Sequence, residues 1–312
     1  MKLFLVPHLI CPACLPKERP LDLVVDHESE GDVVSGKLVC TKCRRKFPIR
    51  DGVATLLADP EGGASMGQRR YEEGEMAGRY LWSHFADLFG AADAGSTHGA
   101  WTECLLQPGP ALDAGCSVGR TTFEMARRGG WAVGCDLSVN FVKTARRLAR
   151  QRSLSFTLPL EGNLPDTFRV ELPAAWPTDQ VEFVVADALR LPFARETFRQ
   201  TASLNLLDRV GYPLAHLYEM NRVAQLTDVS FLFASPFSWS NGPAPQERWL
   251  GGTNQGTYPG RGIDNVRAIL EGKGNVIAPP WQIARSGSVT WTLRSHAHHR
   301  ELIDSQYLVA VR

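Results

Sequence analysis

Two glycines four residues apart, Gly115 and Gly119, stand between an apolar run and a helix-like stretch in Pro110-Ala-Leu-Asp-Ala-Gly-Cys-Ser-Val-Gly-Arg120. Glycine tolerates a sharp bend and lets the backbone approach a ligand, and the helix N-terminus that follows offers free N–H groups to a carboxylate. Asp113 precedes the turn, Cys116 and Ser117 lie within it, and Arg120 opens the helix, where a guanidinium can pair with a carboxylate. Two more acids close apolar runs: Asp136, followed by Leu137, after Trp131-Ala-Val-Gly-Cys, and Asp187, followed by Ala188, after Val181-Glu-Phe-Val-Val-Ala. An acid so placed can accept hydrogen bonds from both hydroxyls of a ribose. The chemistry this set suits is the gripping of a nucleoside.

A dinucleotide site has a similar turn, G-x-G-x-x-G, with an acid about 20 residues on. Here the spacing is G-x-x-x-G, and Ser117 stands where a second glycine would let a pyrophosphate approach. The ligand expected is therefore free of phosphates, and S-adenosylmethionine fits, which makes methyl transfer the expected reaction. The bland alternative is that Asp113, Asp136 and Asp187 only cap helices.

A second constellation is Cys11-Pro-Ala-Cys14 and Cys40-Thr-Lys-Cys43, with 25 residues between the pairs. Two C-x-x-C knuckles bring four thiolates to a tetrahedral shell with no open position, the pattern of a structural Zn2+ site. A segment of this size buries little apolar surface, so metal binding supplies folding free energy. Four unrelated cysteines, or a redox C-x-x-C, are the alternatives, and the matched pairs argue against both.

The elements that must position these groups follow from pattern. Residues 1–60 read as the zinc ribbon and residues 61–312 as an α/β domain, with 61–105 a leading helical segment and Asp59-Pro-Glu-Gly-Gly-Ala-Ser a linker. Tyr71 to Phe89 carries a helical stripe of Tyr80, Leu81, Phe85, Leu88 and Phe89. Acids at the ends of successive strands describe an open parallel sheet that binds along one edge. Leu158 to Pro177 reads as a proline-rich insertion loop. Ser288 to Arg294 and Ser305 to Val311 read as a terminal hairpin joined by His296-Ala-His-His299, whose alternation splays the rings too far for a metal site. The fold expected is a Rossmann-like, seven-stranded class I methyltransferase sheet behind a small zinc ribbon.

The chain has 312 residues, 44% of them hydrophobic, and a net charge of +1, which argues against nucleic acid as a partner. Apolar runs such as Val229 to Phe233 are far short of the roughly 20 residues a membrane span needs. Seven cysteines, four in a metal-type pattern, fit a reducing cytoplasm. Residues 1–60 hold nine Lys/Arg and eight Asp/Glu, so the basic run Lys42 to Lys46 reads as a solvated face.

Two resemblances add to this. Leu9-Ile-Cys-Pro-Ala-Cys14, Leu38-Val-Cys-Thr-Lys-Cys43 and Phe47-Pro-Ile-Arg-Asp-Gly-Val53 resemble the Trm112-like zinc ribbons, a family whose members often stabilise methyltransferases. Tyr80-Leu-Trp-Ser-His84, Gly115 to Glu124, Asn205-Leu-Leu-Asp-Arg209, Ser235-Pro-Phe-Ser-Trp239 and Glu247-Arg-Trp-Leu-Gly-Gly252 resemble the methyltransferase region of ovothiol-synthesis enzymes. That resemblance implies a small-molecule substrate: N-methylation of 5-thiohistidine, at the ring nitrogen nearest the side chain, to give ovothiol A. Such enzymes often carry an iron-dependent, sulfur-attaching domain where this chain has a ribbon, so sulfur insertion would fall to a separate enzyme. Tyr80, His84 and Asn205 are the candidates for orienting the acceptor, with Asn205 also a candidate donor contact. The competing readings are an RNA or protein methyltransferase and a non-catalytic ribbon scaffold.

Overall fold

The computed structural model describes residues 1–59, 70–72, 74–91 and 97–312. Beyond Asp59, the expected linker lies outside the described residues, as does part of the leading segment.

The chain begins with the cysteine knuckle and an antiparallel meander: β1 (Leu21–Ser29), β2 (Asp32–Cys40), β3 (Lys46–Arg50) and β4 (Val53–Leu56). Glu30 and Gly31, at φ 55° and 76°, make the tight turn between the first two. Helix α1 (Gly74–Phe85) and the short α2 (Thr97–Glu103) lead to an alternation of strands and helices. These are β5 (Ala111–Ala114), α3 (Arg120–Arg127), β6 (Ala132–Asp136) and α4 (Val139–Gln151), then β7 (Ser153–Glu161), β8 (Leu164–Glu171), β9 (Val181–Ala186) and β10 (Gln200–Leu204). The chain ends with α5 (Pro213–Val223), β11 (Ser230–Ser235), α6 (Gly262–Leu270), β12 (Gln282–His296) and β13 (His299–Val311).

Every residue of β5, β9 and β11 is buried, as strands covered on both faces must be. One apolar layer, with Leu38, Phe193, Leu217 and Phe233, lies on one side of the sheet. The other, with Phe85, Phe123, Phe141 and Phe183, lies opposite. Helix α4 starts where Ser138 Oγ accepts the Phe141 N–H at 3.1 Å and stops where Arg152 turns left-handed at φ 58°.

The expected sheet of seven strands needs correction. The strands form one sheet of eleven, in the order β1-β2-β3-β4-β9-β6-β5-β10-β11-β13-β12. The α/β region contributes the run from β9 to β12, and the ribbon strands extend it. β4 pairs in parallel with β9, Thr55 against Val185 and Leu56 against Ala186, covering an edge that would otherwise expose unpaired N–H and C=O groups. Charge fastens the same seam: Arg146 of α4 pairs with Glu182 of β9 and, at 2.6 Å, with Asp32 of β2. The ribbon is thus part of the sheet's edge and core.

Residues 153–171, within which a loop was expected from Leu158 on, form a two-stranded hairpin, β7 with β8. Pro159 and Pro165 face each other across it, with the Pro159 carbonyl turned outward to accept the Ala297 N–H at 3.2 Å, so the missing proline N–H groups are not needed between the strands, and Phe156 stacks on Phe168 with centroids 5.5 Å apart. The terminal hairpin is also longer than its apolar pattern suggests. Among the described residues no helix is long and apolar enough to cross a membrane.

Chain order reverses at β5, which lies between β6 on one side and β10 on the other. In an open α/β sheet the crevice at such a switch point, outside the carboxyl ends of the strands, is where a ligand binds.

Candidate active site

The turn after β5 forms the floor. Gly115 and Cys116 donate N–H bonds to the Cys135 carbonyl at 2.8 and 3.0 Å, tying the turn to β6. Ser117 sits at φ 50°, and its N–H donates to Asp136 Oδ2 at 3.0 Å. Gly119, at φ 87°, is required for a packing reason: a Cβ there would lie 2.5 Å from the Phe183 ring, so α3 could not settle on β9. Asp113 points into the fold, where Thr122 Oγ1 donates to its Oδ2 at 2.8 Å. Burial pushes its carboxyl up to about 7 against the pull of Thr122. Burial also raises the Cys116 and Cys135 thiols, which keeps both protonated and unreactive.

Asp136 ends β6 with both oxygens engaged by backbone, Oδ2 by Ser117 and Oδ1 by the Ser138 N–H at 2.9 Å. Burial, with Glu72 nearby, raises its carboxyl to about 6 despite those bonds. Leu137 beside it is 39% exposed, an apolar surface at the mouth of the crevice. Glu72 from the leading segment accepts the Val139 and Asn140 N–H groups at 3.1 and 3.2 Å, which places that segment over the start of α4.

Asp187 Oδ1 accepts the Leu189 N–H at 2.9 Å, so the carboxylate shapes its own loop. The neighbouring Ala188 carbonyl faces His216 Nδ1 at 3.2 Å, and His216 Nε2 faces Ser203 Oγ at 2.8 Å. With Nδ1–H donating to the carbonyl, Nε2 accepts from serine, and burial lowers this imidazole to about 4, so it stays neutral. His216 escaped the sequence reading because a lone histidine in an amphipathic helix carries no motif. Asn205, at φ 56°, donates its N–H to the Ala234 carbonyl at 2.8 Å, while its Oδ1 is buried with no partner among the described residues. Asp208 is buried and receives the Ser238 N–H at 3.1 Å, fixing the loop after β11.

The roof comes from α1, α2 and the far half of β12. Arg120, expected near a ligand carboxylate, is occupied: NH1 and NH2 reach Asp87 at 2.7 and 2.9 Å, NH2 reaches Glu124 at 3.0 Å, and NH1 reaches the His84 carbonyl at 3.0 Å. Its guanidinium also lies 5.0 Å from the Trp176 ring. Arg120 therefore clasps the leading segment onto the turn. Of the three acceptor candidates, Tyr80 and His84 are neighbours, with ring centroids 5.6 Å apart, whereas Asn205 belongs to the floor.

The four ribbon cysteines converge. Cys11 Sγ lies 3.7 Å from Cys43 Sγ and Cys14 Sγ 3.8 Å from Cys40 Sγ, with all four within 4.8 Å of one another. A tetrahedron with Zn–S bonds of about 2.3 Å has edges of about 3.8 Å, so the four sulfurs fit Zn2+. The Lys42 and Cys43 N–H groups point at Cys40 Sγ, both at 3.4 Å, and favour its thiolate. Among the described residues this is the one such converging group, and the His296, His298 and His299 rings stand apart from it at the hairpin tip.

Residues 112–226 match the family model for a methyltransferase domain, and residues 2–52 match that for Trm112p-like proteins. A search of curated proteins finds no match. Among solved structures, the chain is similar to a SAM-dependent methyltransferase from Methanosarcina mazei, at 15% identity and TM-score 0.43 over 68% of this chain and 95% of that one. It is also similar to magnesium protoporphyrin IX methyltransferase from Synechocystis PCC 6803 with bound SAM, at 18% identity and TM-score 0.39 over 81% and 86%. The turn, Asp136 and Asp187 all lie within the stretch that matches the methyltransferase-domain model, and the cysteine cluster lies within the Trm112p-like stretch.

Proposed function

We propose that this S-adenosylmethionine-dependent methyltransferase modifies a ring nitrogen of a small imidazole thiol, with 5-thiohistidine as acceptor and ovothiol A as product. What supports the reading is a ring cluster: Tyr80 and His84 of α1 and Trp291 of β12 are in mutual ring contact, and Arg120, next to the glycine turn, holds the His84 carbonyl, a scale that suits a small ring.

On this reading Asp136 receives the ribose hydroxyls with its remaining lone pairs, and Leu137 and Ala188 flank the nucleobase with Asp187 beside them. The turn from Gly115 to Gly119, with Cys116 and Ser117, faces the amino-acid end of the donor. Arg120 holds the roof down over it. When bound, the donor supplies a methyl group on a sulfonium, an electrophile that needs no further activation. The task of the residues is alignment: Tyr80, His84 and Asn205 present one ring nitrogen, lone pair forward, and keep water out. The nitrogen gains the methyl carbon, the departing sulfur keeps the bonding pair, and the ring loses its proton to a weak base or water.

The test is incubation with donor and a panel of histidine, 5-thiohistidine and related imidazoles, read by mass spectrometry. Methylated 5-thiohistidine is expected; turnover of a different compound with none of this product would refute the substrate. The exposed run Lys42, Arg44 and Arg45 on the ribbon favours a second reading, methylation of RNA. RNA binding that weakens steeply between low and moderate salt would support it.

A further inference from the structure

The buried polar atoms that lack a partner among the described residues are not evenly scattered. His84 Nδ1, His98 Nε2, Trp101 Nε1 and Trp291 Nε1 belong to rings joined in one chain of contacts, Trp291 to His84 to His98 to Trp101. His84 lies 4.5 Å from His98 and 6.5 Å from Trp291, and His98 lies 5.3 Å from Trp101, between ring centroids. His98, Trp101 and Trp291 are only 5%, 3% and 7% exposed. A buried N–H or ring nitrogen with no partner opposes folding, so a cluster of them in one place marks a site built for something other than stability.

The register places this cluster at the crevice. Ser235, the last residue of β11, pairs with Gln306, and Gln306 pairs with Ser288. Residues of β12 after Ser288 therefore project beyond the carboxyl edge of the sheet, and Trp291 is among them. Thr97 Oγ1 donates to the Thr290 carbonyl at 2.6 Å and Ser83 Oγ to the Thr292 carbonyl at 2.5 Å, fixing α2 and α1 to either side of Trp291. The Arg120 bond to the His84 carbonyl ties the same group to the first turn of α3.

We propose that His98, Trp101 and Trp291 join His84 as an acceptor-recognition cage for a neutral azole ring, giving donors and acceptors to its rim. The proposal rests on the small-imidazole reading above and adds residues to it. Tryptophan supplies only N–H, whereas a neutral imidazole supplies one N–H and one lone pair, so the cage matches a ring that itself carries both. Burial, with Arg120 nearby, holds both histidines below their ordinary range, which keeps them neutral. An ammonium group has only N–H to offer and finds no acceptor in the two indoles. The cage thereby separates a neutral azole from an amine side chain.

The experiment compares Trp291→Phe and His98→Phe, each of which keeps an aromatic ring and removes its polar atom, with His98→Asn as the variant that restores polar capacity. Titration of S-adenosylhomocysteine checks that each variant is folded, its affinity staying within about twofold. Histidine and 5-thiohistidine are then titrated into the protein saturated with that product. Affinity for the ring ligand is expected to fall about tenfold or more in both phenylalanine variants and to recover in part in His98→Asn. Unchanged ring affinity in both phenylalanine variants would overturn the cage. Should the unmodified protein bind no imidazole but methylate another compound, loss of that turnover in the same variants keeps the cage and removes the imidazole thiol. Its persistence removes both.

Discussion

Arg120 and Asp87 meet through two parallel hydrogen bonds, at 2.7 and 2.9 Å, joining the first turn of α3 to the segment after α1. Arg120 is almost fully buried and Asp87 is 40% exposed, so the pair is a latch with one side open to solvent. Asp87→Ala should leave Arg120 with Glu124 and cost no more than about 1 kcal/mol of stability. The expected effect is on the roof: the acceptor KM rises about tenfold while affinity for S-adenosylhomocysteine holds. If Arg120 serves the donor's carboxylate instead, calorimetry will show the donor affinity changing as well.

Asp136 receives two backbone N–H groups that shape the turn. Its replacement by alanine removes both anchors together with the expected ribose contact. Donor affinity should fall about 100-fold, equivalent to about 3 kcal/mol. Isothermal titration with S-adenosylhomocysteine checks this, with Thr157→Ala on the outlying hairpin as a control.

Glu182 and Arg146 are both buried at the seam between ribbon and α/β region. Removing one partner leaves an uncompensated interior charge, so Arg146→Met should destabilise by about 3 kcal/mol or more. Chemical denaturation should show the loss in the whole transition, not in an early step confined to the ribbon.

Chelation of Zn2+, or Cys14→Ser, should lower the melting temperature of the full chain in one calorimetric peak, because β4 and β9 share backbone hydrogen bonds. A separate low-temperature peak for residues 1–60, with the rest unchanged, would show that the ribbon melts independently.

His216 is buried neutral, its value lowered from 6.5 to about 4. The unfolded chain takes up this proton first as pH falls, so the associated stability is complete above about pH 6.5 and is lost on the way down to about pH 4. Relative to His216→Gln, which does not titrate, the protein should lose up to about 3 kcal/mol across that window, measured by urea unfolding at stepped pH.

The glycine turn and the strand-ending acids were legible because their signals are local: an acid closing an apolar run, two glycines between strand and helix. The cysteine knuckles were legible for the same reason. The join between β4 and β9 was not, because Val53-Ala-Thr-Leu56 is a short apolar run that says nothing of which distant edge it covers. The prolines of residues 153–171 hid a hairpin whose strands need few inward N–H groups. His84 and Trp291 lie about two hundred positions apart and meet only because β12 overshoots the sheet. Arg120 carried the chemistry expected of it, recognition of a carboxylate, but the carboxylates are Asp87 and Glu124 of the protein itself.

The parallel pairing of β4 with β9 bears on how this molecule can trade with others. The edge of β9 is already taken by a strand of the same chain, so a second polypeptide would have to displace β4 to pair there. What a two-subunit arrangement would regulate by supply of one component is here fixed at one to one by the ribosome.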